Sequence, residues 1–519
     1  MNALSSRLRS PVSSNFLRGF SLPFLLLIIA GFSWRPLSGG DDFWAHASIG
    51  RWILEHHRIP TETLFLWSEN VPWIAHAWGT GVFFAFLMRV GGENGGPFLV
   101  QLVNITLSAA PWLLLWRFWR RNAPFSSLMP PLFVLAIWVS AARYHPRPEL
   151  FTALFLTLLM LFLMGWLREK SAPNSHIAAI LLMFAIWPNL HGAVAFGLVF
   201  LAITALFELV ETRGDLRLLF LTALCTLIVF VCNPRGFDYF RVLLPIGSEA
   251  FKRIDEWKPF WVWPTLAAEL VIGELLLWSI GMLLWATNPH RKWAQLGWML
   301  LMLAAFLKAR RQLWLTALTA LIVIVSNAQS LEAERLFRGW RRLTRGDASQ
   351  PVPDAMRLIV RVGVLIVLIC GAAQAISRDF WPPRAVNKHL PVRMAAWLRD
   401  RAPKGRVLND YEFSAYLEWA LHGRRSLYID LNNAYPDSLM EEYFQLMASS
   451  KNAKIMAKYE ARRSQILARR KIRVVALRPF RSFPPNKAEG LSILARHLDK
   501  SAAWKRIYRA HDGTIWARR

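Results

Sequence analysis

Long apolar runs joined by short polar connectors fill the first 377 residues of the chain. Runs at 17–34, 97–116, 126–142, 148–167, 176–190, 193–210, 216–232, 266–287, 293–307, 312–328 and 357–377 each approach the ~20 apolar residues that cross ~30 Å of hydrocarbon. They predict an α-helical polytopic membrane protein with about eleven transmembrane helices. The run "HAWGTGVFFAFLMRV" (76–90) has only about fourteen apolar-rich residues, the length of an interfacial or re-entrant segment. The pattern changes after residue 377. "GRVLNDY", "RRSLYID" and "KIRVVALR" read as short buried strands, whereas "PVRMAAWLRD", "EFSAYLEWAL", "SLMEEYFQLMA" and "AEGLSILARHL" have helical periodicity. Alternating helices and strands predict a small soluble α/β domain. The expected organisation is a membrane domain over 1–377, carrying an external juxtamembrane loop at 35–96, and a C-terminal extracytoplasmic domain over 378–519.

Composition supports the membrane reading: 54% of the residues are hydrophobic and 26 are Trp, a residue that favours the bilayer interface. A net charge of +28 would suit nucleic acid. However, the Lys and Arg are spread through the short loops between apolar runs, where they set membrane orientation, and the basic tail suits anionic headgroups. Membrane lipids are therefore the expected surface partner and nucleic acid is not. Cys225, Cys232 and Cys370 all lie in apolar runs, which gives neither a disulfide framework nor zinc spacing. The N-terminal run "SLPFLLLIIAGFSW" is followed by no convincing small-residue cleavage site and reads as a retained first span. With a cytoplasmic N-terminus and a non-crossing 76–90, the clusters Arg117/Arg120/Arg121, Arg168/Lys170, Arg213/Arg217, Arg291/Lys292 and Arg335–Arg345 all fall on the cytoplasmic side.

That topology gathers the unusual polar residues on the external face. Asp41 and Asp42 follow the first span in "GGDDFWAHASIGRWILEH". Structurally, an Asp pair suits the start of an amphipathic helix, and Ala45, Ile49, Trp52 and Ile53 form an apolar face at helical spacing. Chemically, a carboxylate beside a second one suits proton removal from a hydroxyl near neutral pH; two acids also suit a hard divalent cation. The residues alone leave these uses open. Arg143, His145 and Arg147 in "RYHPRPE", His191 in "WPNLHG", and Lys308, Arg310 and Arg311 in "KARRQ" are either snorkelling membrane-edge cations or forks for a phosphate or diphosphate. His46, His76 and Asn189 are further polar groups of this face, with packing the default for a lone His such as His76. "NPRGFDYFR" reads as a turn at a helix exit. Glu256 and Trp257 in "IDEWKPFW" belong to an interfacial aromatic belt or, alternatively, a sugar-stacking wall. No Walker or dinucleotide glycine motif occurs, which argues against a nucleotide-driven pump.

A first span followed by an acidic motif and short juxtamembrane helices resembles the GT-C class of membrane glycosyltransferases, which includes protein O-mannosyltransferases and the aminoarabinose transferase of lipid A. The resemblance is closer to poorly characterised bacterial membrane proteins carrying segments similar to "DDFWAHASIGRWILEH", "HPRPELF", "WPNLHG", "NPRG" and "NDYEFSAYLEW", and it covers most of the chain. It implies a GT-C-like transferase of the bacterial inner membrane that takes a sugar from a polyprenyl-phosphate donor to a lipid, glycan or protein acceptor, with inversion following from a single displacement. It also implies that Asp41 or Asp42 is the base, or a ligand of Mg or Mn. The donor phosphate would be met by Arg143, His145, Arg147, His191, Lys308, Arg310 and Arg311. No peptide-acceptor motif of the oligosaccharyltransferase type is recognisable. The competing reading is a transporter or flippase of lipid-linked saccharides, which calls for mid-span polar residues and paired broken helices. A third is a scaffold with "NDYEFSAYLEW" and "YIDLNNAY" as partner-binding loops.

Overall fold

The computed structural model describes residues 12–122, 129–169, 173–211, 215–243, 255–262, 268–328 and 384–519, the last without 433, 449, 451 and 479–484, together with positions 362, 369 and 373. The expected span at 357–377 and the Arg335–Arg345 loop therefore lie outside the described residues, apart from those isolated positions. Two compact units emerge. The first comprises Met1–Arg35, Gln101–Gly236 and Ile254–Pro383, and the second Pro36–Val100, Phe237–Arg253 and Arg384–Arg519.

The first unit is helical. Its elements are α1 (Val12–Ser33), the Gln101–Asn122 part of α3 (Trp78–Asn122), α4 (Met129–Ser140), α5 (Glu149–Glu169), α6 (Asn174–Leu190), α7 (Val194–Glu211), α8 (Arg217–Val231), α9 (Ala268–Thr287), α10 (Trp293–Lys308) and α11 (Leu313–Asn327). The expected apolar runs up to 312–328 all fall on these helices. Among the described residues, four helices are long and apolar enough to cross a bilayer: α3, α5, α7 and α9. A fifth counts if α8 and the bent segment Gly236–Leu243 form one span. Shorter apolar helices occupy Leu22–Ser33, Met129–Arg143, Asn174–Leu190 and Trp293–Lys308; at 1.5 Å per residue they fall short of ~30 Å of hydrocarbon. Helix α11 is buried nearly all round, from Leu313 to Val325, as a helix with no polar face must be.

The second unit joins the segment expected as an external loop to the C-terminal residues. Its helices are α2 (Asp42–His56), the Trp78–Val100 part of α3, α12 (Val392–Asp400), α13 (Ser414–Leu421), α14 (Asp437–Met447), α15 (Ala453–Arg469) and α16 (Pro485–Lys500). The four-stranded sheet has the order β1-β2-β4-β3, from β1 (Arg406–Asn409), β2 (Ile472–Leu477), β3 (Trp504–Ala510) and β4 (Gly513–Arg518). β1 and β2 are parallel, and β4 is antiparallel to both β2 and β3. One core holds Leu37, Phe43, Trp44 and Phe84 together with Met394, Leu408, Tyr428, Val475 and Trp516. Backbone pairing fastens the two stretches: Leu37 to Ala385 and Asn387, and Leu427 to Phe65 and Trp67. Within the stretch expected as a loop over 35–96, Leu37, Phe43, Trp44, Leu66, Phe84 and Met88 are thus core positions of this unit.

Two strands of the sequence reading are present as β1 and β2, and "RRSLYID" is not a strand. There the Asn409 side chain replaces a neighbouring strand. Its Oδ1 accepts from the Tyr428 and Ile429 amides at 2.9 and 3.3 Å, and its Nδ2 donates to the Ile429 carbonyl at 2.9 Å. These bonds satisfy buried backbone groups without a ladder. The β3–β4 hairpin and α15 were not expected from the sequence.

Helix α2 crosses the start of α3 at two glycines. A Cβ on Gly50 would lie 1.9 Å from the Gly81 carbonyl oxygen, so backbone meets backbone. On its other side α2 receives α13: Trp44 meets Tyr416 edge-on at 5.1 Å, and Arg51 lies 4.1 Å over Trp419 while donating to its carbonyl. Replacement of Gly50 by Val should force the crossing apart and cost about 3 kcal/mol or more. Thermal unfolding of the purified chain checks this, and an unchanged midpoint would refute the close crossing.

Candidate active site

The basic site forms in the first unit where three connections meet. The link between α4 and α5 contains Pro146 and Pro148, whose rings fix φ and remove two amide donors. The link turns through backbone bonds from Leu150 to Arg147 and from Phe151 to Pro148. Glu149 then opens α5, where a carboxylate is favoured by the helix dipole. Arg143 binds this buried Glu149 through Nη2 and, at 3.2 Å, through Nε. Its Nη1 reaches Glu256 at 2.7 Å.

Glu256 lies in the segment at 255–262 and is the hub. One of its oxygens accepts from Arg143 and from Arg147 at 3.0 Å, while the other pairs with Arg311 at 3.5 Å. Burial pushes the Glu256 carboxyl up, but the guanidiniums of Arg143, Arg147 and Arg311 outweigh it and hold the group far below the usual carboxylate range. Arg311 also lies 4.2 Å over the Trp257 ring, a cation–π contact. Arg310 is buried, and its amide donates to the Lys258 carbonyl at 3.2 Å, which ties the turn after α10 to the Glu256 segment. The side chains of Arg147 and Arg311 stay 20% and 18% exposed, against 8% for Arg143. Arg143 is therefore the most enclosed of the three, and Arg147 and Arg311 keep more of their side chains exposed.

His145 does not add a cation. Burial first, then Arg147, Arg35 and Arg143, hold its imidazole well below the ordinary range. It is neutral, and Nε2 accepts from Arg35 Nη1 at 3.0 Å. His191 caps the C-terminal end of α6, and its Nδ1 lies 2.8 Å from Thr152 Oγ1 on α5. Thr152 follows Glu149 by three residues, so the two share one face of α5, and His191 meets that face one turn beyond the arginine cluster. Asn189 instead joins helix ends, donating to the Cys232 carbonyl at 3.1 Å. The turn after α8 has the expected form, with Asn233 Oδ1 capping the Arg235 amide and Gly236 at φ 53°. Among the described residues, no hydrogen bond or ion pair ties the Lys308 side chain to the cluster.

The acidic residues belong to the second unit. Asp41 is the N-cap of α2 with extended φ and ψ, and its Oδ2 accepts from the Ser38 amide. Asp42 is the first helical residue, and His46 follows one turn later. Gly39 and Gly40 pack against Phe413 and Glu412, where a Cβ on Gly40 would lie 2.7 Å from the Glu412 carbonyl oxygen. "GGDD" and "NDYEF", distant in sequence, thus adjoin. Beside them Asp410 is pushed up to about 6 by burial, against the pull of Arg478, and their ion pair measures 2.7 Å. His76 belongs to the same unit, its amide bonded to the Ile74 carbonyl. Among the described residues, no group of three or more His, Cys, Asp or Glu side chains is placed to hold a metal ion.

No family model and no curated protein matches the sequence. Solved structures do match. The oligosaccharyltransferase AglB from Archaeoglobus fulgidus, in complex with an inhibitory peptide and a dolichol-phosphate, aligns over 96% of this chain and 74% of its own length, with TM-score 0.58 and 11% identity. ArnT from Cupriavidus metallidurans bound to undecaprenyl phosphate aligns over 97% and 98%, with TM-score 0.54 and 13% identity. The arabinofuranosyltransferase AftD from Mycobacteria aligns over 98% of this chain and 41% of its own length, with TM-score 0.51 and 14% identity. The chain has the GT-C fold. Arg35, Glu149 and Thr152 are contacts of this site that no motif marks in the sequence. Glu149 sits inside the quoted "RYHPRPE", and charge balance against Arg143 and Arg147 is the signal that points to it.

The Glu256 hub predicts a pH signature. A carboxylate whose folded pKa lies below its unfolded value of about 4.3 stabilises fully above that value and loses the contribution as pH falls toward the folded pKa. Glu256→Gln should lower stability near neutral pH by about 3 kcal/mol, because it leaves partly buried guanidiniums uncompensated. The gap to wild type should narrow below pH ~4. Melting curves of both proteins across pH check this, and a gap that widens in acid would contradict it.

Proposed function

We propose that the chain is a membrane glycosyltransferase that moves a sugar from a polyprenyl-phosphate-linked donor to an acceptor hydroxyl outside the cytoplasm, in the bacterial inner membrane with a cytoplasmic N-terminus. The observation that carries this reading is the arginine cluster on Glu256, with two partly exposed guanidiniums and an aromatic face, in a chain of GT-C fold. The AglB and ArnT structures hold dolichol-phosphate and undecaprenyl phosphate, which supports a lipid phosphate as the partner of these arginines.

In the proposed reaction the acceptor oxygen attacks the anomeric carbon. The bond from that carbon to the phosphate oxygen breaks, and the electron pair leaves with the phosphate. Arg147 and Arg311 stabilise the growing charge with donors already in place, and Arg143 and Glu149 fix their positions. The acceptor oxygen gives up its proton to a general base, a role for which the resemblance of the first-loop motif proposes Asp41 or Asp42. A single displacement inverts the anomeric centre. Trp257, stacked under Arg311, offers its remaining surface to a sugar.

Transfer from a purified lipid donor, measured in detergent, tests the assignments separately. Arg147→Ala should raise the KM for the donor by about tenfold or more, the cost of a charge-assisted hydrogen bond. Replacing both Asp41 and Asp42 by Asn should lower kcat about a hundredfold or more, the usual contribution of a general base. Undiminished transfer in the double Asn variant removes the acids from the chemistry, and no transfer by the wild type from any polyprenyl-phosphate sugar sinks the reading.

A further inference from the structure

The hydrogen-bond chain behind His191 fixes which ring nitrogen carries its proton. Trp187 Nε1 can only donate, and it donates to Thr152 Oγ1 at 2.9 Å. Thr152 is fully buried. Its hydroxyl has a single proton and two lone pairs, one of which the indole already uses. Buried hydroxyl protons find an acceptor, and the acceptor facing this one is His191 Nδ1 at 2.8 Å. A donating hydroxyl leaves Nδ1 unprotonated, so in the neutral ring the proton sits on Nε2. Trp187 and His191 belong to the same "WPNLHG" end of α6, and Thr152 lies on the α5 face that begins with Glu149. The chain Trp187–Thr152–His191 therefore sets the imidazole against the first turns of α5, one turn along from the Glu149 that holds Arg143.

We infer that Thr152, itself held by Trp187, is a positioning residue that locks His191 as a neutral Nε2–H donor, and that this N–H serves an anionic oxygen of the donor phosphate. The inference rests on the phosphate reading of the arginine cluster and adds a neutral hydrogen bond to it. The imidazole keeps its proton throughout: it donates a hydrogen bond and takes no part in acid–base transfer. Such a donor discriminates by direction, where the arginines supply charge.

The test uses the full-length purified chain and undecaprenyl phosphate as the probe. Side-chain nitrogen NMR of histidine-labelled protein, assigned with a His191 variant, should show an unprotonated Nδ1 and a protonated Nε2. That signature should be lost in Thr152→Val and kept in Thr152→Ser. Equilibrium binding of the lipid should weaken about tenfold in Thr152→Val, the loss of one well-placed hydrogen bond, and recover in Thr152→Ser. His191→Gln, whose amide reaches the Nε2 position, should bind more tightly than His191→Asn, whose amide reaches only Nδ1. A proton on Nδ1 in the wild type, or tighter binding by His191→Asn, overturns the proposal. Failure of the wild type to bind lipid phosphate, with the nitrogen signature intact, fells the phosphate reading while leaving the tautomer established.

Discussion

The candidate site depends on one carboxylate held between three guanidiniums. Arg143, Arg147 and Arg311 would repel one another if gathered unaided in a partly buried space; Glu256 accepts hydrogen bonds from the first two and forms an ion pair with the third. Among the described residues, Arg143, Arg147 and Arg311 share the two carboxylates Glu149 and Glu256, and Arg35 joins through His145. The pairing divides the labour. Arg143 is buried and saturated, and fixes the start of α5 through Glu149. Arg147 and Arg311 pair with Glu256, and Arg311 also lies over Trp257. Such a group is pre-shaped for an anion with several oxygens, because the arginines already converge on one.

The helices were legible because a membrane leaves few alternatives: backbone groups must be satisfied within each segment, and long apolar runs read directly as helices. The cationic half of the site was legible as well, since Arg143, Arg147 and Arg311 stand in short polar turns between such runs. Its organisation was not. Glu256 lies far from Arg143 in sequence, and nothing local marks it as a shared counter-ion rather than a residue of an aromatic belt. His145 looked like a cation and is a neutral acceptor for Arg35, because burial and neighbouring guanidiniums oppose its protonation.

The second unit shows a different limit. Leu37, Trp44 and Leu66 have the look of an interfacial loop, yet their partners are Val386, Tyr416 and Leu427. A pairing between chain ends leaves no local periodic signal. The β3–β4 hairpin escaped for a related reason: Lys505, Arg506 and Arg509 interrupt the apolar alternation of β3, and only Asp512-Gly513 marks the turn. Conversely, "RRSLYID" has strand-like composition, yet its buried residues Leu427–Ile429 are satisfied by a single bridge to Phe65 and Trp67 and by the Asn409 side chain. The juxtaposition of "GGDD" with "NDYEF" ties the acidic motif to the C-terminal residues, so changes at Phe413 or Glu412 bear on the setting of Asp41 and Asp42.

The most direct measurement is an electron-microscopy structure of the full chain with undecaprenyl phosphate bound. The account predicts phosphate density within hydrogen-bond distance of the Arg147 and Arg311 guanidiniums, with His191 Nε2 facing one of its oxygens. A phosphate seated away from both arginines, with the Glu256 contacts unchanged, would contradict it.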